Sequence, residues 1–245
     1  MIANNRTFML GYTFITLVAI FSALLGGGSN LIHYLSRLLI VPAILFALIT
    51  LFKKFEHPLI PILITGTFFK FLGDIFFMVD FEIILFRMLG LCSFIVANIA
   101  YGLMFFLSFQ QKPKFKKDTF FLPEILFIMI ILTVLLVIFP HLGVFKTPVL
   151  IYSIFLALTM TAAFRRRKYL KPRTYVPVLV GSILFLTVDI LHSMGLFYQD
   201  PIRIVVLVAA YSLGHYFVIE GMSLQFRDEI PEDHSPSIEP SYGLR

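Results

Sequence analysis

The chain reads as long, unbroken apolar runs separated by short polar or basic stretches. The runs fall at roughly 8–25, 34–52, 58–79, 83–109, 120–139, 146–164, 175–197 and 202–224, each close to the ~20 residues that cross a bilayer core as a helix. A membrane barrel would instead show short segments of alternating character. Continuous runs of this length predict helices. Gly26-Gly27-Gly28-Ser29-Asn30 predicts a turn. Lys112-Pro113-Lys114-Phe115-Lys116-Lys117 predicts a basic loop, and Arg165-Arg166-Arg167-Lys168 with Lys171-Pro172-Arg173 a second.

Composition sharpens this. Of 245 residues, 59% are hydrophobic and 14% charged, and the mean hydropathy is +0.92. A soluble domain is about 45–50% apolar and about 25% charged. The expectation is an all-α polytopic bundle of eight spans, one domain over 1–225, with a polar, proline-rich cytoplasmic tail over 226–245 that is disordered. The first run shows no small-residue cleavage site and is followed by further spans, so no cleavable signal peptide is expected. The one cysteine, Cys92, leaves no intramolecular disulfide and no cysteine-based metal cluster. The net charge of +6 is no nucleic-acid signal, because the basic residues gather in loops between spans.

Those loops orient the chain. Fifteen Lys and Arg lie at the N-terminus, in loops 2–3, 4–5 and 6–7 and in the tail, against four on the other side: Arg37, Arg87, Lys146 and Arg203. Basic residues mark the cytoplasmic face, so both termini face the cytoplasm. Lys70 is mid-span. Span 3 then runs outward with Asp74 five residues before Val79, and span 7 runs outward with Asp189 eight before Phe197. At 1.5 Å per residue their depths differ by about 5 Å. Arg37, Asn98, Tyr211 and His215 fall at comparable depth. An ionised group in hydrocarbon costs at least ~2.5 kcal/mol, and such groups face one another or a wet cavity. Asp74 and Asp189 are therefore expected to share a site open toward the outer half of the bilayer. Spans 3–4 and 7–8 also hint at an internal repeat, each with an acid followed about 25 residues later by a polar side chain (Asn98, His215).

Local sequence suggests separate roles for the acids. Lys70 precedes Asp74 by one helical turn on the same face; the pair either neutralises itself or holds a base or cation-stabilising carboxylate. Asp189 has no cation in its own span, only His192 one turn outward, which suits a proton donor. Two acids in contrasting surroundings are how acid and base roles divide. Gly73 admits a close neighbour, whether a helix or a substrate. His215 either meets a substrate or an acid, or is an ordinary interhelical histidine. Arg37 either binds a phosphate or snorkels to the headgroups. His33, His57, His141 and His234 are placed in loops or the tail and lack zinc-ligand spacing.

In order along the chain, these residues resemble a known family. Arg37-Leu38-Leu39-Ile40-Val41-Pro42 is similar to its Lys-Pro-Leu stretch. Leu72-Gly73-Asp74 is similar to its Gly-Asp, and Gly90, Phe94, Asn98 and Tyr101 stand where it has Gly, Phe, His and Tyr. Gly181-Ser182-Ile183-Leu184-Phe185 and Val188-Asp189 resemble its Gly-Ala-x-Leu-Phe and Ser-Asp. Tyr211-Ser212-Leu213-Gly214-His215 resembles its Tyr-x-x-Ala-Gln. This is the YhhN-like family of eight-span membrane proteins, which includes lysoplasmalogenases. Asn98, His215, Val188, Lys70 and Arg37 depart from its usual residues; both aspartates are kept.

The resemblance implies hydrolysis of the vinyl-ether bond of a lysoplasmalogen in a bacterial cytoplasmic (inner) membrane. The expected partner is a lysophospholipid-like substrate, with a homo-oligomer left open and no nucleic acid. Asp74 and Asp189 would be catalytic, with Arg37, Lys70, Gly73, Asn98, Tyr101, Tyr211 and His215 binding substrate or supporting them. The scheme calls for no metal and no cofactor. The competing class is a non-enzymatic lipid-binding or proton-coupled transport protein using the same acids as a relay. The orientation is tested first: an alkaline phosphatase fused after Arg245 is expected to be inactive, and an active fusion overturns it.

Overall fold

The computed structural model describes residues 6–26, 31–52, 57–79, 83–110, 113, 122–194 and 201–229. Among them are eight helices: α1 (Arg6–Gly26), α2 (Leu31–Phe52), α3 (Ile60–Val79), α4 (Ile84–Gln110), α5 (Leu122–Ile138), α6 (Lys146–Arg165), α7 (Pro172–Met194) and α8 (Pro201–Glu229). Each lies in a segment long and apolar enough to cross a membrane, and the chain is an integral membrane protein. Pro172 and Pro201 open their helices, where a missing N–H costs nothing and φ is preset. Two short 3-10 turns join α5 to α6, and Gly143 at φ +51° supplies the left-handed residue between them.

Contacts run from α1 to α2, α3, α4, α6, α7 and α8 and close back on α1; α5 stands outside, mainly against α6. The closest pairs are α3–α4 and α7–α8, and glycine explains both. A Cβ on Gly73 would stand 2.6 Å from the Phe94 ring, and one on Gly90 2.7 Å from Phe77. One on Gly181 would meet the Gly214 carbonyl and Val218 at 2.7 Å, and one on Gly214 would stand 3.0 Å from Phe185. Each glycine thus receives the side chain four residues beyond its partner glycine. Small residues let membrane helices approach until backbones touch. The likeness of spans 3–4 and 7–8 is therefore one of packing. The acids do not share it: Asp74 follows Gly73 directly, whereas Asp189 lies eight residues after Gly181.

The end that carries the basic loops differs from expectation. Arg166 and Lys168, read from sequence as loop cations, are buried. Arg166 donates to Ser108 Oγ at 2.6 Å and Gln225 Oε1 at 2.7 Å, tying the end of α6 to α4 and α8. Gln225 donates on to Glu229 Oε1 at 2.6 Å, and His57 reaches Glu229 Oε2 at 3.0 Å. Buried Glu124 faces Arg167 at 3.5 Å and Lys168 at 3.7 Å. This network carries α8 to Glu229, past the expected start of the tail at 226. His33 also lies inside a helix, α2, buried with Nδ1 3.1 Å from the Ala19 carbonyl. The glycine turn, Lys53, Lys54, the four loop lysines, Phe197 and the tail from 230 lie outside the described residues.

The glycine contacts generate a stability prediction. Gly181→Val forces a side chain onto the Gly214 backbone, and overpacking of this kind costs about 1–3 kcal/mol. Gly11→Ala in α1, where nothing lies within 4 Å of the new Cβ, is the control. Detergent melting curves should show a lowered Tm for the first and none for the second.

Candidate functional site

Polar side chains that no single helix can satisfy meet inside the helix ring. Asp74 stands five residues before Val79, the last of α3, and Asp189 five before Met194, the last of α7, so the depth match expected from sequence is close. Asp74 is buried. The Tyr211 hydroxyl of α8 donates a hydrogen bond to its Oδ2, and Arg37 of α2 places Nη2 3.7 Å from its Oδ1. The same Nη2 donates to His192 Nε2 at 3.5 Å, and the guanidinium lies over the Tyr211 ring at 5.8 Å. Arg37 is thus engaged by the carboxylate, not free to snorkel. Tyr12 donates to the Ser212 carbonyl at 2.7 Å, holding α1 against α8 beside Tyr211.

Lys70 departs from the sequence reading. It is buried at 5% exposure, with Nζ 4.1 Å from the centre of the Phe185 ring and 5.7 Å from that of Phe94. Among the described residues it makes no direct ion pair. Both acids lie in its electrostatic range. The expected Lys70–Asp74 pair is therefore corrected: the cation beside the Asp74 carboxylate is Arg37, and Lys70 faces Asp74 and Asp189 without a direct ion pair to either among the described residues. Asp189 is accordingly not without a cation. The reason is that the amine is drawn across the ring by the face of Phe185, which Gly181 and Gly214 bring inward.

Asp189 has a second neighbour that the sequence reading missed. The Tyr152 side chain of α6 stands near Asp189 and Asn98. Asp189 Oδ2 and Asn98 Nδ2 have no hydrogen-bond partner among the described residues. The available signal was depth: Tyr152 stands six residues into α6 from Lys146, level with Asp189. His215 is fully buried, with its ring against Tyr211 at 4.6 Å and Phe185 at 4.8 Å. Neither of its ring nitrogens has a partner among the described residues, and Lys70 is in electrostatic range.

The remaining candidates sit further out. Tyr101 stacks on Phe185 and shares a 2.9 Å hydrogen bond with Thr67, away from the carboxylates. Gly73 is filled by the Phe94 ring, so a helix and not a substrate is what approaches it. A small cavity beside the cluster is lined by Asn98, Tyr101, Thr159, Ser182 and Phe185 among others, and neither aspartate lines it. Chemically, the arrangement offers a carboxylate dressed by a phenol and a guanidinium, and another with one open oxygen beside an amine.

The family model described as the YhhN family matches residues 32–222, a stretch that contains Arg37 through His215 and so the whole cluster. No curated protein and no solved structure matches the chain.

The revised pairing predicts a double-variant result. Lys70→Met removes an ammonium in electrostatic range of Asp189; with no direct ion pair to sever, the cost should fall below the about 3–5 kcal/mol of a broken buried pair. Adding Asp189→Asn should restore most of that stability. Adding Asp74→Asn instead should restore less, because Asp74 keeps Arg37 and Tyr211. Equal rescue by the two, measured as Tm in detergent, would contradict the pairing.

Proposed function

The chain belongs to the YhhN family, and on that footing we propose that it is an integral membrane hydrolase that cleaves the vinyl-ether bond of lysoplasmalogens. The products are a fatty aldehyde and a glycerophospho-base, and the site is an inner (cytoplasmic) membrane. The observation that supports the reading is the contrast between two carboxylates at matching depth: Asp74 on α3 is held by Tyr211 and Arg37, and Asp189 on α7 keeps Oδ2 without a partner among the described residues.

A vinyl ether is opened by a proton placed on its β-carbon. The result is an oxocarbenium ion, which water attacks; the hemiacetal then collapses to aldehyde and alcohol. One group must give a proton to carbon, and another must stabilise the cation or activate water, as in glycoside hydrolysis. Asp189 is the donor. Its Oδ2 is unengaged, and the Lys70 ammonium restores its proton after each cycle, regaining its own from the water that attacks the oxocarbenium carbon. Asp74 is the stabilising carboxylate. Tyr211 and Arg37 fix its position, so its charge is preorganised for the developing cation rather than assembled during the reaction. His215 stands behind Tyr211 and orients its ring.

Purified protein given lysoplasmalogen should release fatty aldehyde. A positioned acid or base contributes about 10²–10⁴-fold, so Asp189→Asn and Asp74→Asn should each lower kcat by at least ~10². Tyr152→Phe should lower it less, because the carboxyl remains. Wild-type protein that releases no aldehyde but passes a pH-dependent solute flux in liposomes would replace hydrolysis with a relay function.

A further inference from the structure

We propose that Lys70 is a carbonyl-capturing residue that forms a reversible imine with a long-chain aliphatic aldehyde inside the helix ring. The inference rests on the proposed function for the source of the aldehyde, which the hydrolysis would release within the same ring of helices.

Four observations converge on this amine. Lys70 is buried and makes no direct ion pair among the described residues. A lysine withdrawn from water is the form that proteins use for Schiff-base chemistry. Its Nζ rests on the Phe185 face at 4.1 Å, a surface that holds an iminium as well as an ammonium, since cation–π attraction needs only the charge. Asp189 and Asp74 both lie in electrostatic range of it, which gives an iminium its counterions. Finally, Asp189 Oδ2 and both nitrogens of His215 are unpartnered among the described residues, so groups able to move protons stand around the same ring.

The step balances without any oxidant or reductant. The Lys70 ammonium first passes a proton to Asp189. The neutral amine then adds to the carbonyl carbon, forming a C–N bond while the C=O π pair moves to oxygen. A proton passes from nitrogen to that oxygen through His215, giving a carbinolamine. Asp189 then returns its proton to the hydroxyl, which leaves as water as the nitrogen lone pair forms the C=N bond. In sum, one ammonium and one aldehyde give one protonated imine and one water, with the Asp189 carboxylate as counterion. Water reverses it.

The test is reductive trapping on the full-length protein in detergent. Hexadecanal with cyanoborohydride should add the mass of the aldehyde less one oxygen atom. Digestion should place the adduct on Lys70 before surface lysines such as Lys146 and Lys171. Borohydride added during turnover of lysoplasmalogen should trap the same adduct, and Lys70→Arg should remove it while the surface lysines still react slowly. If Lys70→Arg fails to fold, the wild-type peptide map alone decides. Labelling spread over the surface lysines with Lys70 unmodified overturns the proposal. Vinyl-ether hydrolysis with no adduct on Lys70 overturns it too and leaves the hydrolase reading intact. An adduct from added hexadecanal without any hydrolysis supports the capture site and removes the hydrolase reading.

Discussion

A charge inside hydrocarbon has to be met by another part of the same protein, and the core of this molecule is the answer to that demand. At a cost of at least ~2.5 kcal/mol for each charge left facing lipid, Arg37, Lys70, Asp74 and Asp189 could not be carried on their helices separately. The ring closes so that α2 brings Arg37, α3 both Lys70 and Asp74, α6 Tyr152, α7 Asp189 and α8 Tyr211 into one region. The satisfaction is incomplete, and the gaps are local. Asp189 Oδ2 and the His215 nitrogens lack partners among the described residues, while Asp74 is fully engaged. The buried cluster around Arg166 also keeps open atoms, Arg166 Nε and both Glu124 carboxylate oxygens, but there the charges stand in ion pairs with Arg167 and Lys168.

Close helix packing decides what surrounds the amine. Without a hydrophobic driving force between spans, association in a bilayer relies on fit, and the glycines supply it. Gly73 seats Phe94, and Gly214 seats Phe185. These two rings are the ones that Lys70 touches. The same contacts that hold α3 to α4 and α7 to α8 therefore build an aromatic cradle for a cation, and a change in packing at either glycine would be felt at the chemistry. Tyr211 plays the corresponding part for Asp74, itself braced by Tyr12 through the Ser212 carbonyl.

Much of this was legible in the chain. The eight apolar runs lie within a few residues of the eight helices, because span length is set by the bilayer and apolar composition reports it directly. Asp74 and Asp189 stood out for the same reason, each an acid in an apolar run, and their depths could be compared once the basic loops had set the direction of each span. Tyr152 was passed over because a tyrosine in a membrane helix is unremarkable by composition; only its level in α6 marked it. The loop cations Arg166 and Lys168 were read as orientation signals, and the buried network that they form could not be seen, since it depends on α4, α5 and α8 ending at the same place.

The amino-acid sequence by itself determined that the chain lies in a membrane, where its helices begin and end, and which side chains are too costly to face lipid. These are properties of one helix against a bilayer, and one helix is enough to read them. Only the tertiary structure decided who meets whom. Lys70 lies one turn from Asp74 along α3, and a helix viewed alone pairs them. In the bundle, the Gly181–Gly214 contact brings the Phe185 ring to the amine, while Arg37 arrives from α2 to take Asp74. The physical reason is that the partner of a buried charge is set by which helices can approach most closely, and that depends on glycines more than a hundred residues away in the chain.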